Sequence, residues 1–266
     1  MPVIRNTFKA ALREAVPPRI GLFLGLCDAY SAELLAGAGF DWLLIDAEHG
    51  PNDIRSILAQ LQALEGRGAD VLVRVVDHDP ARIKQMLDIG ARTLLVPMVE
   101  SAEQARALVR ATRYPPDGIR GVGTALARAA SWNGVPDYLR WANEEICLIV
   151  QAESREGLDA LDDILAVDGV DGVFIGPSDL AASMGHLGQA DHPEVRAAVQ
   201  EAIGRIVQSG KAAGIFATRL DAARAFCEAG VSFVALGTDT LLLRQAAQGL
   251  VQAFRAGATD VAGAGY

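Results

Sequence analysis

Residues 39–76 read GFDWLLIDAEHGPNDIRSILAQLQALEGRGADVLVRVV, and this stretch contains the unit that decides the fold. Residues 42–46 form a short apolar run of strand length that ends in an acidic residue. Residues 53–64 then have apolar side chains at helical spacing, and residues 71–76 form a second apolar run. Strands that are apolar on both faces and joined by a helix are typical of parallel sheets covered by helices. The stretch therefore predicts two parallel strands with a helix between them.

The same alternation continues over most of the chain. Eight apolar runs are predicted to be strands, at residues 20–26, 42–46, 71–76, 93–98, 147–151, 172–175, 212–217 and 233–236. Helical spacing marks segments between them, and Asp53 and Ser101 are placed to cap two of these helices. Eight such units predict an α/β fold, a single (β/α)8 TIM barrel, which needs about 250 residues. The first strand lacks the Gly-x-Gly-x-x-Gly loop of the alternative, a doubly wound sheet.

We expect the barrel to occupy residues 1–255 and residues 256–266, rich in Gly and Ala, to form a disordered tail. The rhythm of strands and helices is broken once, by the long segment between the fourth and fifth strands. Its part from 113 to 141 carries Pro, Gly and four large aromatic residues. Long irregular segments in compact domains are often functional or lie at interfaces, and we expect one of these roles here.

The composition excludes several classes of partner. The formal charge is −9, and the chain shows no cluster of Lys and Arg, so a nucleic-acid surface is not expected. No apolar run approaches the roughly 20 residues of a membrane span, and the first residues show no basic stretch followed by an apolar one, the pattern expected of a signal peptide. We therefore expect a cytoplasmic protein. Its three cysteines are far apart in or beside apolar segments, which indicates buried free thiols.

Glu153 and Asp179 each follow a predicted strand, and in a barrel these strand ends meet at the catalytic face. Two carboxylates are hard oxygen ligands, and they select Mg²⁺, Mn²⁺ or a similar divalent ion while leaving coordination positions open for substrate. The structural alternative is that both residues only cap the helices that follow them. We favour the metal site because both acidic residues share the same placement.

Asp46, Glu48 and His49 follow the second strand, and Arg74 ends the third. A neutral imidazole is suited to act as a base near neutral pH, so His49 is the candidate base, and Asp46 or Asp88 could hold its other nitrogen. Arg74 could stabilise negative charge on a substrate oxygen, or it could simply pair with Glu48 or Asp46.

Further candidates lie near the same face. Gln151 ends the fifth strand, and Ser178 opens a helix whose free backbone N–H groups could bind a carboxylate. His78 lies close enough to the rim to remain an outside candidate.

The lysines argue against covalent imine catalysis. The chain has only Lys9, Lys84 and Lys211, and each is predicted to lie outside the barrel interior. A Schiff-base aldolase requires a lysine amine at the substrate carbonyl. Electron withdrawal by a metal ion is therefore expected to replace it.

Five separated motifs resemble the HpcH/HpaI aldolase family, whose fold is a TIM barrel of the phosphoenolpyruvate/pyruvate type. They are found at residues 42–50, 95–99, 113–123, 150–153 and 172–180. The resemblance implies a class II aldolase, a carbon–carbon lyase that uses Mg²⁺, Mn²⁺ or Co²⁺. The implied reaction is reversible cleavage of a 4-hydroxy-2-oxo acid, foremost 4-hydroxy-2-oxoheptanedioate, to pyruvate and an aldehyde such as succinate semialdehyde.

The resemblance also assigns roles to residues. It implies Glu153 and Asp179 as metal ligands, His49 as the base with Asp88 raising its basicity, and Arg74 as the group that stabilises the enolate. Gln151, Ser178 and Asp179 are implied to contact the 2-oxo acid, and Asp46 and Glu48 are secondary candidates. The family implies a hexamer, a trimer of dimers with exchanged C-terminal helices. Alternatives are a 2-dehydro-3-deoxyglucarate aldolase, an acyl-CoA lyase, an oxaloacetate decarboxylase and a barrel that only binds a ligand.

Overall fold

Eight parallel strands close into a barrel in the order of the sequence, and the predicted TIM barrel is thereby confirmed. The computed structural model describes residues 5–14 and 17–257. The strands are β1 (Arg19–Leu24), β2 (Trp42–Asp46), β3 (Asp70–Arg74), β4 (Thr93–Val96), β5 (Cys147–Ala152), β6 (Gly172–Ile175), β7 (Ala212–Phe216) and β8 (Phe233–Thr238).

Helices surround the barrel, and one of them, α1, precedes its first strand. They are α1 (Thr7–Arg13), α2 (Ala29–Ala36), α3 (Ile54–Ala63), α4 (Pro80–Asp88), α5 (Ala102–Thr112), α6 (Tyr138–Trp141), α7 (Arg155–Asp159), α8 (Leu161–Leu165), α9 (Pro177–Ser183), α10 (Pro193–Gln208), α11 (Leu220–Glu228) and α12 (Asp239–Arg255). A 3₁₀ turn spans Arg128–Ala130. No helix in the described part of the chain is long and apolar enough to cross a membrane.

The capping signals of the sequence act as predicted. The Asp53 side chain accepts hydrogen bonds from the backbone of Arg55 and Ser56 at the start of α3. Ser101 accepts one from Gln104 at the start of α5. Each side chain satisfies backbone N–H groups that have no partner inside the helix. Sequence-local chemistry thus fixes where these helices begin.

The helix α1 closes the end of the barrel where the strands begin. Phe8 is buried and packs edge-on against Trp42 of β2 and Phe233 of β8, with ring centroids 6.3 and 5.5 Å away. The Trp42 ring lies against Gly21 of β1, and a Cβ at that position would lie 2.1 Å from the ring atoms. Asn6, which caps α1, donates to the Thr93 hydroxyl at 3.0 Å. The first helix is therefore the floor of the barrel.

The long segment at residues 113–141 lies at the same end, because it connects a returning helix, α5, to the start of β5. Its Arg128 pairs with Glu65 at 2.6 Å, beyond the end of α3, and also donates to the Ile89 carbonyl at 3.2 Å. Within one chain, this segment is remote from the catalytic ends of the strands. A role at the active site would require another copy of the chain.

The last helix, α12, leaves most of its surface exposed, including Leu242, Leu243, Leu250, Val251 and Phe254. Only Asp239 is buried among its residues. An unpacked helix of this length presents an apolar surface that a monomer rarely leaves open. Beyond α12, residues 258–266 of the expected tail lie outside the described residues.

Candidate active site

Polar residues collect at the carboxyl ends of the strands, where adjacent strands bring them together. The pairing of Asp46 with Arg74 places the ends of β2 and β3 side by side. The pairing of Ala152 with Ile175 does the same for β5 and β6, so that Glu153 follows directly opposite Gly176. The sequence prediction that these strand ends share one face is thus met by the register.

Glu153 is a buried carboxylate, with 2% of its surface exposed. Its Oε1 accepts a hydrogen bond from the Met98 backbone N–H at 2.9 Å, and its Oε2 accepts one from the Gln151 side chain. Burial raises the pKa of Glu153 to about 7, and the nearby charges of Glu48 and Asp179 act in the same direction. Three carboxylates therefore share one region with too little positive charge beside Glu153.

Neither Glu153 nor Asp179 caps a helix. Ser154 is the residue that caps α7, through its hydroxyl and the Gly157 N–H. The helix α9 begins at Gly176 without a side-chain cap, although Asp179 lies in its first turn. The structural alternative of helix capping is therefore wrong for both residues.

Gly176 leaves room beside the carboxylate of Glu153. A Cβ on Gly176 would lie 2.4 Å from Glu153 Oε2 and 2.9 Å from Gln151 Nε2. The buried Oε1 of Gln151 has no hydrogen-bond partner among the described residues. The oxygens of Glu153, Asp179 and Gln151 are hard donors of the kind that a divalent cation prefers. The absence of a side chain at Gly176 leaves space beside them.

Arg74 is held by two acidic residues from β2 and its following turn. Its Nε and Nη2 donate to the two oxygens of Asp46 at 2.8 and 2.7 Å, which is a bidentate pair. Its Nη1 lies 2.8 Å from Glu48 Oε2, in a contact too poorly aligned for a hydrogen bond. The guanidinium also lies over the Phe23 ring, with 5.1 Å to the centroid. Arg74 thus pairs with both of the predicted partners, Asp46 and Glu48. Some of the five N–H bonds of its guanidinium remain without a partner among the residues that the structure describes.

His49 stands at the mouth of the site with 68% of its side chain exposed. The nearest carboxylate to its ring is that of Glu48, at 3.9 Å from Nε2. Asp46 contacts only the backbone N–H of His49, at 3.4 Å, and thereby shapes the turn that carries it. Burial raises the pKa of Glu48, against the opposing effect of Arg74. Glu48, rather than Asp46, is thus the acidic neighbour of the imidazole.

The structure does not bring Asp88 to this site within one chain. Asp88 ends α4, which returns to the floor of the barrel, and it pairs with the buried Arg120 at 2.9 Å. A residue of a returning helix cannot reach the opposite face, so the expected support of His49 by Asp88 has no basis inside a single chain. Ser178 does lie at the catalytic face, exposed in the first turn of α9.

The three lysines lie outside the barrel interior, as predicted. Lys9 donates to the Ile146 carbonyl at 2.6 Å, and Lys211 donates to the Val170 carbonyl at 2.6 Å, both near the start of strands. Lys84 is part of the helix α4. None of these amines can form an imine at the catalytic face.

A second group in the described residues could also hold a metal ion. His186, His192 and Glu194 have ligand atoms within 4.8 Å of one another, in and after the loop that joins α9 to α10. The two imidazole rings are stacked at 3.5 Å, so their in-plane lone pairs run side by side and do not converge on one point. Glu194 is also exposed. This group is a weaker candidate than the site that contains the buried carboxylate of Glu153.

Comparison with known proteins identifies the family. The family model described as HpcH/HpaI aldolase/citrate lyase matches residues 19–246. The chain belongs to this family. The chain is 58% identical over 256 residues to a 4-hydroxy-2-oxo-heptane-1,7-dioate aldolase from Klebsiella pneumoniae subsp. pneumoniae, covering 96% of each protein. It is 57% identical to the enzyme of the same name from Escherichia coli, covering 97% of this chain and 98% of that one.

A solved structure of the same family has the same fold. It is an HpcH/HpaI aldolase/citrate lyase family protein from Burkholderia cenocepacia J2315, with a TM-score of 0.90 and 42% sequence identity. The alignment covers 94% of this chain and 99% of the other. Family membership makes the protein an enzyme of the lyase class.

Some residues of the site were not expected from the sequence. Met98 supplies a backbone N–H, Gly176 supplies space, and Asn52 holds the turn after β2 by donating to the Asp46 carbonyl at 2.7 Å. Phe23 supports Arg74. Only Gly176 carried a local signal, since a glycine between a buried strand and Pro177 often marks a close approach of the backbone.

Proposed function

We propose that this protein is a metal-dependent aldolase that cleaves 4-hydroxy-2-oxoheptanedioate to pyruvate and succinate semialdehyde. The observation that carries the proposal is that Arg74 at the end of β3, Glu153 after β5 and Asp179 after β6 lie at the same end of the barrel. High identity to aldolases of that name over nearly the whole chain supports the substrate. The lysines lie away from the carboxyl ends of the strands, which supports a metal ion in place of an imine as the electron acceptor.

In this proposal Glu153 and Asp179 hold Mg²⁺, Mn²⁺ or Co²⁺. When bound, the cation would act as a Lewis acid that makes the keto group of the substrate a better electron acceptor. Gln151 lies beside Glu153, and Ser178 lies in the same helical turn as Asp179, so both are placed to contact the 2-oxo acid. The free N–H groups at the start of α9 suit its carboxylate.

His49 is the proposed base. It takes the proton of the substrate 4-hydroxyl group, the C3–C4 bond breaks, and C4 becomes the aldehyde carbonyl. The electron pair of the broken bond passes to pyruvate as its enolate, which is then protonated at C3. The exposed position of His49 leaves its ring within reach of a substrate in the mouth of the barrel.

Arg74 is the proposed group that stabilises the enolate. Its N–H groups that Asp46 and Glu48 leave free can donate to the oxygen on which charge develops. The bidentate pair with Asp46 fixes the guanidinium plane before substrate binds. Such preorganisation stabilises the transition state without a cost for reorienting the donor.

We further propose that the protein is a homo-oligomer, a hexamer arranged as a trimer of dimers. The exposed apolar side chains of α12 support this assembly, because a second copy could cover them. Asp88 and the segment 113–141 lie at the floor, from which they could reach a site only in a neighbouring copy.

An aldol-cleavage assay on a panel of substrates tests the function. The panel holds 4-hydroxy-2-oxoheptanedioate, 2-dehydro-3-deoxyglucarate, malyl-CoA and oxaloacetate, each with and without EDTA. Pyruvate is measured with lactate dehydrogenase, except for malyl-CoA, whose cleavage is followed by chromatography of the acetyl-CoA released. We expect the heptanedioate to react fastest and EDTA to abolish the reaction. Preference for another substrate would reassign the specificity. Full activity after exhaustive chelation would overturn the metal role.

A further inference from the structure

His78 lies in the connection between β3 and α4, at the catalytic face, and the proposed reaction does not use it. Its Nε2 is 2.6 Å from the backbone carbonyl oxygen of Pro97, at the end of β4. A carbonyl oxygen only accepts hydrogen bonds, so Nε2 carries the hydrogen and donates it. The imidazole therefore ties the turn after β3 to the turn after β4.

The carbonyl that His78 contacts belongs to the peptide group that joins Pro97 to Met98. The N–H of the same peptide group, on Met98, donates to Glu153 Oε1 at 2.9 Å. One rigid, planar peptide unit thus lies between the imidazole and the buried carboxylate. Rotation of this unit would break both hydrogen bonds together.

Met98 holds this peptide in an unusual conformation. Its φ is 53°, in the left-handed region that a residue with a side chain rarely adopts. Such a conformation is strained and persists only when the surrounding structure determines it. On the far side, the Val99 N–H donates to the Gln151 carbonyl at 3.0 Å. His78 supplies the side-chain hydrogen bond on the near side.

We propose that His78 is a positioning residue for the cation site, acting on Glu153 through the Pro97–Met98 peptide. This inference rests on the proposed role of Glu153 as a metal ligand. A donor on the peptide oxygen also polarises the unit and strengthens its N–H as a donor. His78 thereby fixes Oε1, which leaves the other oxygen of Glu153 directed to the space beside Gly176.

The test compares two substitutions that differ in the donor. His78→Phe keeps a ring of similar size and removes the N–H, whereas His78→Gln keeps an amide N–H at about the reach of Nε2. Each protein also carries His186→Ala, so that the group of His186, His192 and Glu194 does not bind Mn²⁺. Mn²⁺ affinity is measured at pH 8 by the electron paramagnetic resonance signal of free Mn²⁺, and thermal unfolding is followed in EDTA.

We expect His78→Phe to weaken Mn²⁺ binding about tenfold, as loss of an outer hydrogen bond at a metal site does, and His78→Gln to bind as the parent does. Wild-type affinity in His78→Phe, or equal weakening in both variants, would overturn the role of His78. If the Phe variant is unfolded in EDTA, His78→Met replaces it.

Glu153→Gln separates this inference from the function on which it rests. If Glu153→Gln abolishes Mn²⁺ binding while His78→Phe leaves it unchanged, only the inference about His78 fails. If Glu153→Gln binds Mn²⁺ as the parent does, the proposed metal site fails, and the inference fails with it.

Discussion

Arg74 has a structural role in its pair with Asp46 and a proposed chemical role at the enolate. Its pair with Asp46 is buried, and in the proposed mechanism its remaining N–H groups stabilise the enolate oxygen. We predict that Arg74→Ala lowers kcat about a hundredfold, by analogy with loss of an oxyanion donor. Steady-state kinetics with saturating metal measure this effect.

Arg74→Lys is the matched variant for this prediction, because it retains the charge and loses the bidentate geometry. Loss of Arg74 also leaves Asp46 buried without a cation, so thermal unfolding has to accompany the kinetics. An alanine variant with unchanged turnover would remove Arg74 from the chemistry.

His49 is separate from the cation site, since no contact joins it to Glu153 or Asp179 among the hydrogen bonds and ion pairs of the described residues. We therefore predict that His49→Ala abolishes most cleavage activity and leaves Mn²⁺ affinity within about twofold, because only proton transfer is lost. Activity and Mn²⁺ titration on one protein sample give both quantities. A fully active variant would place the base elsewhere.

The buried carboxyl group of Glu153 makes stability depend on pH. Its pKa rises from the ordinary 4.5 to about 7 in the fold, so the folded state binds this proton more tightly than the unfolded chain does. The resulting stabilisation is complete below the ordinary pKa and is lost as pH rises through about 7. In EDTA, the contribution of this group should therefore lower the melting temperature between pH 5 and pH 8.

A bound cation stabilises the ionised carboxylate, so the increase in melting temperature caused by Mn²⁺ should be larger at pH 8 than at pH 5. Scanning fluorimetry across this range measures the increase. Glu153→Gln is the control, and it should flatten the dependence. A Mn²⁺ effect that is independent of pH would contradict the assignment.

The turn from β6 to α9 makes room for the carboxylate of Glu153, which follows the neighbouring strand β5, because it has a glycine at position 176. A Cβ at position 176 would overlap Glu153 Oε2, so Gly176→Ala should displace the carboxylate. We predict a loss of Mn²⁺ affinity of about tenfold or more. Gly204→Ala in α10 is the matched control, because nothing lies within 4 Å of its added Cβ. Equal affinity in the two variants would contradict the prediction.

The elements themselves follow closely from the sequence. The predicted bounds of β2 and β6 agree with the structure, because polar or glycine residues end their apolar runs at the last paired residue. The predictions for β3 and β4 extend too far, to residues 76 and 98, since Val75, Val76, Pro97 and Met98 continue the apolar run after pairing ends. Apolar periodicity reports burial, whereas strand ends depend on neighbours that the local sequence does not name.

The site was predictable only in part for the same reason. Residues that follow strands, such as Glu153 and Arg74, could be placed on one face because the barrel topology brings strand ends together. Asp88 was predicted to support His49, both from its place near a helix end and from the family resemblance, although the end of that helix lies at the floor. The contribution of Met98 is a backbone N–H in a left-handed turn, and no side-chain pattern encodes it.

For the whole molecule, the exposed helix α12 is the feature that a monomer does not explain. Leu243 and Phe254 are 61% and 84% exposed. We predict that Leu243→Asp combined with Phe254→Asp lowers the mass measured by light scattering after gel filtration from that of a hexamer to smaller species. Charges on an apolar contact are costly to bury.

The control for this prediction places the same charges at exposed polar positions of the same helix, Gln245→Asp and Gln248→Asp. We expect the control to keep the mass of the parent protein. A hexamer that survives the apolar substitutions would show that α12 lies outside the interface.

The floor of the barrel has a consequence for synthesis on the ribosome. Phe8 contacts Phe233, which is translated more than 200 residues later. This interval lasts on the order of ten seconds or more, because translation adds about 5–20 residues per second. Throughout that time α1 lacks part of the surface against which it packs. A chain interrupted before β8 therefore leaves the side chain of Phe8 accessible to chaperones and proteases.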